Sequence, residues 1–324
     1  MPTEWGSFLM LALRPVKGFV RQDGVMTIDV VTLRAGELTS RWVPSVGMVG
    51  VSLFHRGREL LGQRRGLNAY EQQGSTFGIP LLHPFANRLG GFTYAQQGID
   101  VALDGSSPMV RTEEHGLPIH GLLAAAPGWR VREAGPQTLA ADFAFDTDEL
   151  LAAFPFPHRL ALEIALEPTR LTVSTVLTPT SDRPVPVAFG FHPYLTLPGA
   201  AREDLVLGLP AMTRLGLDER GLPDGTRVPF AARDARLGET TYDDHFTDLG
   251  DAPAFVLAGG GREITMRFLE GYTHLQLFAP PASPVVAIEP MTAATDALRT
   301  GAGLRSVTEP LRATFAIEVR SMSS

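Results

Sequence analysis

The sequence contains no cysteine among its 324 residues. This absence excludes disulfide bonds, thiolate metal sites and cysteine nucleophiles, and it agrees with a reducing compartment. Runs of basic residues are also absent, and the formal net charge is −7. Because nucleic acids and anionic membrane surfaces bind clustered Lys and Arg, we expect neither nucleic acid nor membrane as a partner.

Long hydrophobic runs are lacking as well, since none approaches the roughly 20 residues that a membrane-spanning helix needs. Near the N-terminus, Phe8–Leu13 is apolar over only six residues. No basic segment precedes it, and Arg14-Pro15 follows in place of a small-residue cleavage site. These features favour a buried first strand over a signal peptide, so we expect a cytoplasmic protein.

Nucleotide-binding patterns are missing too, because no Walker loop occurs and no GxGxxG motif opens a helix. What the sequence does contain is apolar alternation with a period of two, divided into short segments by 33 Gly and 26 Pro. The alternating or β-rich segments are residues 27–33, 49–54, 160–166, 171–177, 274–278 and 315–319. Many short strands with frequent turns predict an all-β fold, an antiparallel sandwich or barrel.

Helical signals are few, and the best is Asp146–Phe154, with Asp146 as a candidate N-cap and Pro155 as the stop. Gly259–Gly261 is interpreted as a hairpin turn. No linker or low-complexity segment divides the chain, so we expect residues 1–324 to form a single domain.

Two loop segments place polar residues beside glycine and proline. Segment 78–88 ends in Asn87-Arg88, which could bind a hydroxylated ligand or could satisfy loop carbonyls, and spacing alone favours the second reading. His115 and His120 could suggest a metal site, but a strand or turn does not bring positions five apart to one face. We therefore expect no metal and interpret them as loop histidines, one of them in a binding pocket.

Two further ionisable residues interrupt apolar segments. Glu289 closes an apolar strand and is followed by Pro290. Burying a carboxylate costs free energy unless it is paired or functional, so Glu289 is the best candidate for a base, with a structural salt bridge as the alternative. His192 lies in the aromatic segment 189–194, where it could be a general acid or base, or a core histidine bonded to a carbonyl.

An acidic patch, Tyr242–Phe246, contains Asp243 and Asp244. Its carboxylates could accept hydrogen bonds from the hydroxyls of a ligand, or the patch could be a solvated turn. Taken alone, these features indicate a β-rich enzyme or binding protein with His and Glu in a cleft, and they name no substrate.

In this order, the segments resemble the aldose 1-epimerase (galactose mutarotase-like) family from Arg41 to about Gly303. The motifs that carry the resemblance are residues 41–61 (RWVPSVGMVGVSLFHRGRELL), 78–88 with Asn-Arg, Ile119-His120-Gly121, 154–194 ending in Phe-His-Pro-Tyr, and 287–298 (AIEPMTAATDAL). Each motif alone is weak, whereas the ordered set is specific. The resemblance implies a large, twisted antiparallel β-supersandwich without metal or organic cofactor.

The resemblance also implies a function, that of an isomerase (mutarotase) that interconverts α and β anomers of free aldohexoses by acid–base ring opening and closure. Glu289 would take the proton from the anomeric hydroxyl, and His192 would protonate the ring oxygen. Opposite charges in one cleft would favour an ionised Glu289 and a protonated His192. The implied sugar-binding residues are Arg88, His120, Asp243 and Asn87, with Asp244 as an alternative to Asp243.

Two other functions stay open. One is a hexose-6-phosphate mutarotase, which needs additional Arg or Lys around the cleft to hold the phosphate. Arg88, Arg111 and Arg130 leave this function open, although the Asn-Arg loop resembles the free-sugar branch more closely. A non-catalytic sugar-binding or regulatory protein of the same fold would need no acid–base pair, so Glu289 and His192 argue against it. We expect a small-molecule sugar as substrate and a monomer or homodimer.

Overall fold

The alternating segments of the sequence form β-strands in the computed structural model, which describes residues 29–322. Segment 160–166 lies in the strand His158–Glu167, and its apolar side chains are buried at every second position because successive side chains point to opposite faces. Segments 171–177 and 315–319 form two further long strands. The strand predicted at Phe8–Leu13 lies outside the described residues.

The strands are β1 (Val31–Ala35), β2 (Leu38–Val43), β3 (Val49–His55), β4 (Arg58–Glu59), β5 (Leu81–Leu82), β6 (Thr93–Gln96), β7 (Ile99–Ala102), β8 (Arg130–Ala134), β9 (Thr138–Phe145), β10 (His158–Glu167), β11 (Arg170–Pro179), β12 (Val185–Val187) and β13 (Gly190–Phe191). They continue with β14 (Tyr194–Leu195), β15 (Val206–Leu209), β16 (Met212–Leu217), β17 (Pro223–Phe230), β18 (Arg233–Arg236), β19 (Tyr242–Thr247), β20 (Ala254–Gly259), β21 (Arg262–Glu270), β22 (His274–Ala279), β23 (Val286–Met291), β24 (Arg305–Val307) and β25 (Leu311–Ser321). The helices are α1 (Gly66–Gln73), α2 (Asp148–Ala153) and α3 (Ala297–Thr300), and a 3₁₀ turn covers Arg202–Asp204.

Two large sheets form the body of the fold. The nine-stranded sheet has the order β18-β15-β20-β21-β25-β11-β10-β9-β8, and the eight-stranded sheet has the order β17-β16-β19-β22-β23-β13-β5, with β14 also paired to β23. A four-stranded sheet, β1-β2-β3-β4, precedes them. Neighbouring strands in the large sheets run antiparallel, as in β10 with β11 and β22 with β23. The prediction of an all-β antiparallel fold is confirmed.

The inner faces of the two large sheets meet in an aromatic core. Phe191 of the eight-stranded sheet contacts Phe315 of the nine-stranded sheet, with ring centroids 5.1 Å apart. Tyr272 packs edge-on against Phe315 as well. One hydrophobic cluster runs from Val31 to Val319. The architecture is therefore a sandwich rather than a barrel, and a single domain over 1–324 stays a prediction.

The predicted helix over residues 146–154 is present but shorter, as α2. Its N-cap is Thr147, whose hydroxyl accepts a hydrogen bond from the backbone N–H of Leu150 at 3.4 Å, so the proposal of Asp146 as cap is wrong. Thr147 has the extended backbone that an N-cap requires. Within residues 29–322, the helices are too short to cross a membrane.

Candidate active site

Three neighbouring strands of the eight-stranded sheet carry polar side chains on one face. Gln276 on β22 lies opposite both Glu289 on β23 and His245 on β19. Asp243 shares the face of His245 because it lies two residues away on the same strand. A cleft of about 630 Å³ opens above this face. It is lined by all six predicted site residues, namely Asn87, Arg88, His120, His192, Asp243 and Glu289.

Glu289 is buried in the floor of the cleft, on a strand whose six residues are all buried. Its side chain is 2% exposed, and its Oε1 lies 3.1 Å from Nε2 of His192. Its other oxygen, Oε2, is buried and has no hydrogen-bond partner among the described residues. Burial raises the pKa of Glu289 well above its usual range, and the Asp243 carboxylate raises it further. A buried, unpaired carboxyl oxygen costs free energy unless a ligand satisfies it.

His192 lies in the turn between β13 and β14 and is followed directly by Pro193. Its ring stacks on Tyr194, with centroids 4.1 Å apart and an angle of 16° between the planes. The ring of His120 meets it edge-on at 5.4 Å. Burial lowers the pKa of His192 well below its usual range, and nearby His120 and Arg64 lower it further.

The directions of the two pKa shifts do not favour the expected ion pair. Burial disfavours the charged form of both groups, so it favours a neutral carboxylic acid beside a neutral imidazole. The contact of 3.1 Å between Glu289 and His192 lets one proton reside on either side chain without changing the net charge of the pair. The pair is therefore a proton-sharing unit.

Arg88 is held in the cleft by two hydrogen bonds and one ion pair. Its Nη1 donates to Oδ1 of Asn87 at 3.2 Å, and its Nε donates to Oε2 of Glu113 at 3.4 Å. Its Nη2 lies 3.8 Å from Oδ2 of Asp243. The sequence did not identify Glu113, whose other oxygen accepts the backbone N–H of His115 and thereby fixes the loop. Arg88 is therefore oriented toward the cleft rather than bound to loop carbonyls.

Asp243, and not its neighbour, belongs to the cleft. Oδ1 of Asp243 accepts a hydrogen bond from Nε2 of Gln276 at 2.6 Å. Oε1 of Gln276 in turn lies 3.1 Å from Nδ1 of His245, which fixes the orientation of the amide. Asp244 points to the opposite face of the strand, where it lies 3.6 Å from Arg214. Gln276 is a cleft residue that sequence reasoning missed.

Three histidines, namely His83 of segment 78–88 and the loop residues His115 and His120, lie in different environments. His120 lines the cleft, and burial lowers its pKa to about 3, so it is neutral. His83 lies outside the lining and contacts His158 between their Nε2 atoms at 2.8 Å. His115 is exposed, and its potential ligand atom lies within 4.8 Å of those of Glu113 and Glu114. Glu113 also pairs with Arg88, and the expectation that this loop binds no metal stays a prediction.

Tyr194 links the acid–base pair to a further arginine. Its hydroxyl lies 3.1 Å from Nε2 of His192, 2.6 Å from Oγ1 of Thr76 and 2.8 Å from Nη1 of Arg64. Burial raises the pKa of Tyr194 to about 12, so its hydroxyl keeps its proton. The sequence motif Phe-His-Pro-Tyr contained Tyr194, but nothing in the pattern connected it to Arg64, which is 130 positions away.

Buried neutral histidines predict that the fold loses stability in acid. Burial lowers the pKa of His158 to about 4, that of His245 to about 3 and that of His274 to about 4. Because the unfolded chain binds protons at about pH 6.5, this stability is complete above pH 6.5 and is lost as the pH falls below it. At pH 5, a histidine with a folded pKa near 4 costs about 2 kcal/mol. The raised pKa of Glu289 acts in the opposite direction, since its contribution is lost as the pH rises.

Urea unfolding between pH 7.5 and 5.0 measures this effect, and we expect the free energy of unfolding to fall steeply below pH 6.5. The His158→Phe variant should show a smaller pH dependence, because a phenyl ring can keep the stacking of His158 on Phe145 without binding a proton. His115→Gln, at an exposed position, should leave the dependence unchanged. A free energy of unfolding that stays constant from pH 7.5 to 5.0 would contradict the prediction.

The arrangement suits proton transfer to a hydroxylated ligand. A carboxyl group and an imidazole share a proton at the floor of a cleft whose walls carry guanidinium, amide and carboxylate groups. Such groups together can move protons onto and off neighbouring oxygens and can hold several hydroxyls.

A protein-family model described as aldose 1-epimerase matches residues 29–304. No curated protein sequence matches the chain. Among solved structures, a galactose mutarotase-like protein from Clostridium acetobutylicum shares 16% identity at a TM-score of 0.76, over 91% of this chain and 96% of that one. The aldose epimerase homologue from C. elegans shares 15% at 0.76, over 92% and 100%. Galactose 1-epimerase from Lactobacillus acidophilus NCFM shares 16% at 0.71, over 94% and 98%. The similarity to these structures confirms the galactose mutarotase-like fold.

Proposed function

Because the chain belongs to the aldose 1-epimerase family, we propose that it interconverts the α and β anomers of aldohexoses whose anomeric hydroxyl is free. The observation that carries the proposal is the buried contact of 3.1 Å between Glu289 and His192 in the cleft. Opening a hemiacetal requires one proton removed from O1 and one delivered to O5, and a carboxylate and an imidazolium can do both.

The proposed reaction begins when the shared proton resides on His192 and Glu289 is a carboxylate. Glu289 takes the proton from O1, a C1=O1 double bond forms, the C1–O5 bond breaks, and His192 gives its proton to O5. The pair is then neutral on both sides, which is the state that burial favours. After rotation about C1–C2, Glu289 returns its proton to O1 and His192 takes the proton of O5, so the ring closes as the other anomer. No proton is lost to solvent.

The other cleft residues are proposed to hold the sugar. Arg88 would donate hydrogen bonds to oxygens near the reacting centre, from the position that Asn87 and Glu113 give it. His120, which is neutral because burial and the nearby Arg88 lower its pKa to about 3, would donate or accept a single hydrogen bond. Asp243 would accept hydrogen bonds from ring hydroxyls, with Gln276 holding its carboxylate.

A non-catalytic sugar-binding protein is the weaker alternative. Sugar binding needs donors and acceptors at the walls of a cleft, and it gains nothing from a buried acid with an unsatisfied oxygen. Burying Glu289 lowers the stability of the fold. A role in proton transfer explains why a carboxyl group lies there, and a role in sugar binding alone does not.

Polarimetry of freshly dissolved α-D-glucose and α-D-galactose tests the proposal. We expect the protein to accelerate the approach to the anomeric equilibrium well above the spontaneous rate, and the Glu289→Gln variant to lose this acceleration. Glu114→Gln removes an exposed carboxylate outside the cleft lining and should retain the activity. Spontaneous rates with the wild-type protein on both of these sugars and on glucose 6-phosphate would contradict the proposal.

A further inference from the structure

Two of the three arginines that line the cleft lack a carboxylate partner. Arg88 is balanced by Glu113 and Asp243. Arg64 and Arg111 form no ion pair with any carboxylate of residues 29–322, although both line the cleft. Arg64 is exposed and Arg111 is half-buried, so both guanidinium groups can donate hydrogen bonds to an anionic ligand that enters the cleft.

Arg64 is held in place by Tyr194. Its Nη1 donates to the hydroxyl of Tyr194 at 2.8 Å, and its Cζ lies 4.8 Å from the centroid of the Tyr194 ring. The same hydroxyl is fixed by Thr76 at 2.6 Å. One N–H of the guanidinium is used in this way, and the others can donate to a ligand in the cleft.

Arg111 reaches the same part of the cleft from another loop. Its Nε is buried and has no hydrogen-bond partner among the described residues. It packs so closely on the backbone of Gly74 that a Cβ at this position would lie 2.6 Å from Nε of Arg111. Gly74 and Thr76 both line the cleft, so the two arginines flank one short segment that spans about 7 Å.

The chemistry of the sugar tells which end of the substrate would face these arginines. In the proposed reaction His192 protonates O5, and O5 is bonded to C5, which carries C6. The hydroxyl of Tyr194 touches both Nε2 of His192, at 3.1 Å, and Nη1 of Arg64, at 2.8 Å. The side of the cleft that receives O5 is therefore the side of Arg64, and the substituent on C6 lies within its reach.

Building on the proposed function, we propose that Arg64 and Arg111 form an anion subsite that binds an anionic group on C6 of the aldose, a phosphate or a carboxylate. Both groups present oxygens in the geometry that guanidinium donors match. A neutral C6 hydroxyl would leave both arginines without a counter-charge. The preferred substrates are therefore hexose 6-phosphates or hexuronic acids rather than neutral hexoses.

Exchange rates between anomers, measured by NMR exchange spectroscopy, test the subsite with glucose, glucose 6-phosphate and glucuronate after subtraction of each spontaneous rate. The wild-type protein should show a higher kcat/KM for at least one anionic sugar than for glucose, and comparing the two anionic sugars identifies the group. In Arg64→Gln and Arg111→Gln, the ratio of anionic to neutral kcat/KM should fall by about tenfold to hundredfold. Arg130→Gln, on the exposed strand β8, should leave this ratio unchanged.

The ratio is the decisive quantity, because Arg64 also contacts Tyr194 and its loss can slow every sugar. A ratio that stays the same in both variants overturns the subsite, while acceleration of glucose still supports the mutarotase. If no sugar is accelerated, the proposed function fails and calorimetry decides the subsite alone. Glucose 6-phosphate that binds more tightly than glucose, and more weakly to Arg111→Gln, supports the subsite, whereas equal binding of both sugars overturns it.

Discussion

The His192→Gln variant is expected to lose about 10²- to 10⁴-fold in kcat for anomer exchange. Glutamine can donate a hydrogen bond to O5, but it cannot deliver a proton to it, so the alkoxide that forms on ring opening is left unprotonated. Glu289 would also lose the partner that shares its proton at 3.1 Å. Exchange rates at saturating sugar measure kcat, and thermal unfolding shows whether the variant is folded.

The double variant Glu289→Gln/His192→Gln separates a coupled pair from two independent groups. Since the two side chains act as one proton-sharing unit, the double variant should be about as active as the less active of the two single variants. His115→Gln is the matched control, because its ring is exposed and lies outside the cleft lining. Full activity in His192→Gln, or losses that multiply in the double variant, would contradict the role given to the pair.

The strands could be predicted from the sequence because their signal is local. In β10 and β11 the apolar residues alternate without interruption, and one face of each strand is buried in the core. The helix α2 was located for the same reason, while its cap was not. Asp146 and Thr147 are both good N-cap residues, and the choice depends on which of them takes the extended backbone before the first turn.

The site was predicted less completely, because its contacts join distant parts of the chain. The ordered motifs led to Glu289 and His192, but the contact between them depends on how β23 pairs with β13 and β14. Gln276 enters the cleft only through its register opposite Glu289. Nothing local in the sequence distinguishes Arg64, which lines the cleft, from its neighbour Arg65, which does not.

The expectation of an ion pair rested on charge alone, for a related reason. Opposite charges in one cleft favour an ion pair, but this attraction competes with the cost of removing both groups from water. The sequence does not report burial of a loop histidine, and the structure places His192 and Glu289 almost completely out of solvent. Burial is therefore the larger effect on the pKa of both groups.

The Gly121→Ala substitution should cause the largest loss of stability among single changes near the cleft. Gly121 has a φ of +74°, and a Cβ there would lie 2.8 Å from the backbone nitrogen of His83 and still closer to its carbonyl. That carbonyl also accepts the N–H of Leu122 at 2.7 Å, so it cannot move away freely. We expect a loss of at least about 3 kcal/mol from the strained φ and the overpacking together. Since His120 is the preceding residue, kcat/KM should fall as well.

Gly116→Ala in the same loop separates the two causes. Gly116 has nearly the same φ, +73°, but a Cβ there would meet nothing within 4 Å. Its substitution should therefore cost only the strain of the left-handed backbone, about 1 kcal/mol, and leave the activity intact. Urea unfolding at pH 7.5 measures both variants under conditions in which the buried histidines stay neutral. Equal losses of stability in the two variants would mean that the backbone of His83 moves to make room for the added methyl group. The close approach of the segments at His83 and Gly121 would then not be what holds His120 in place.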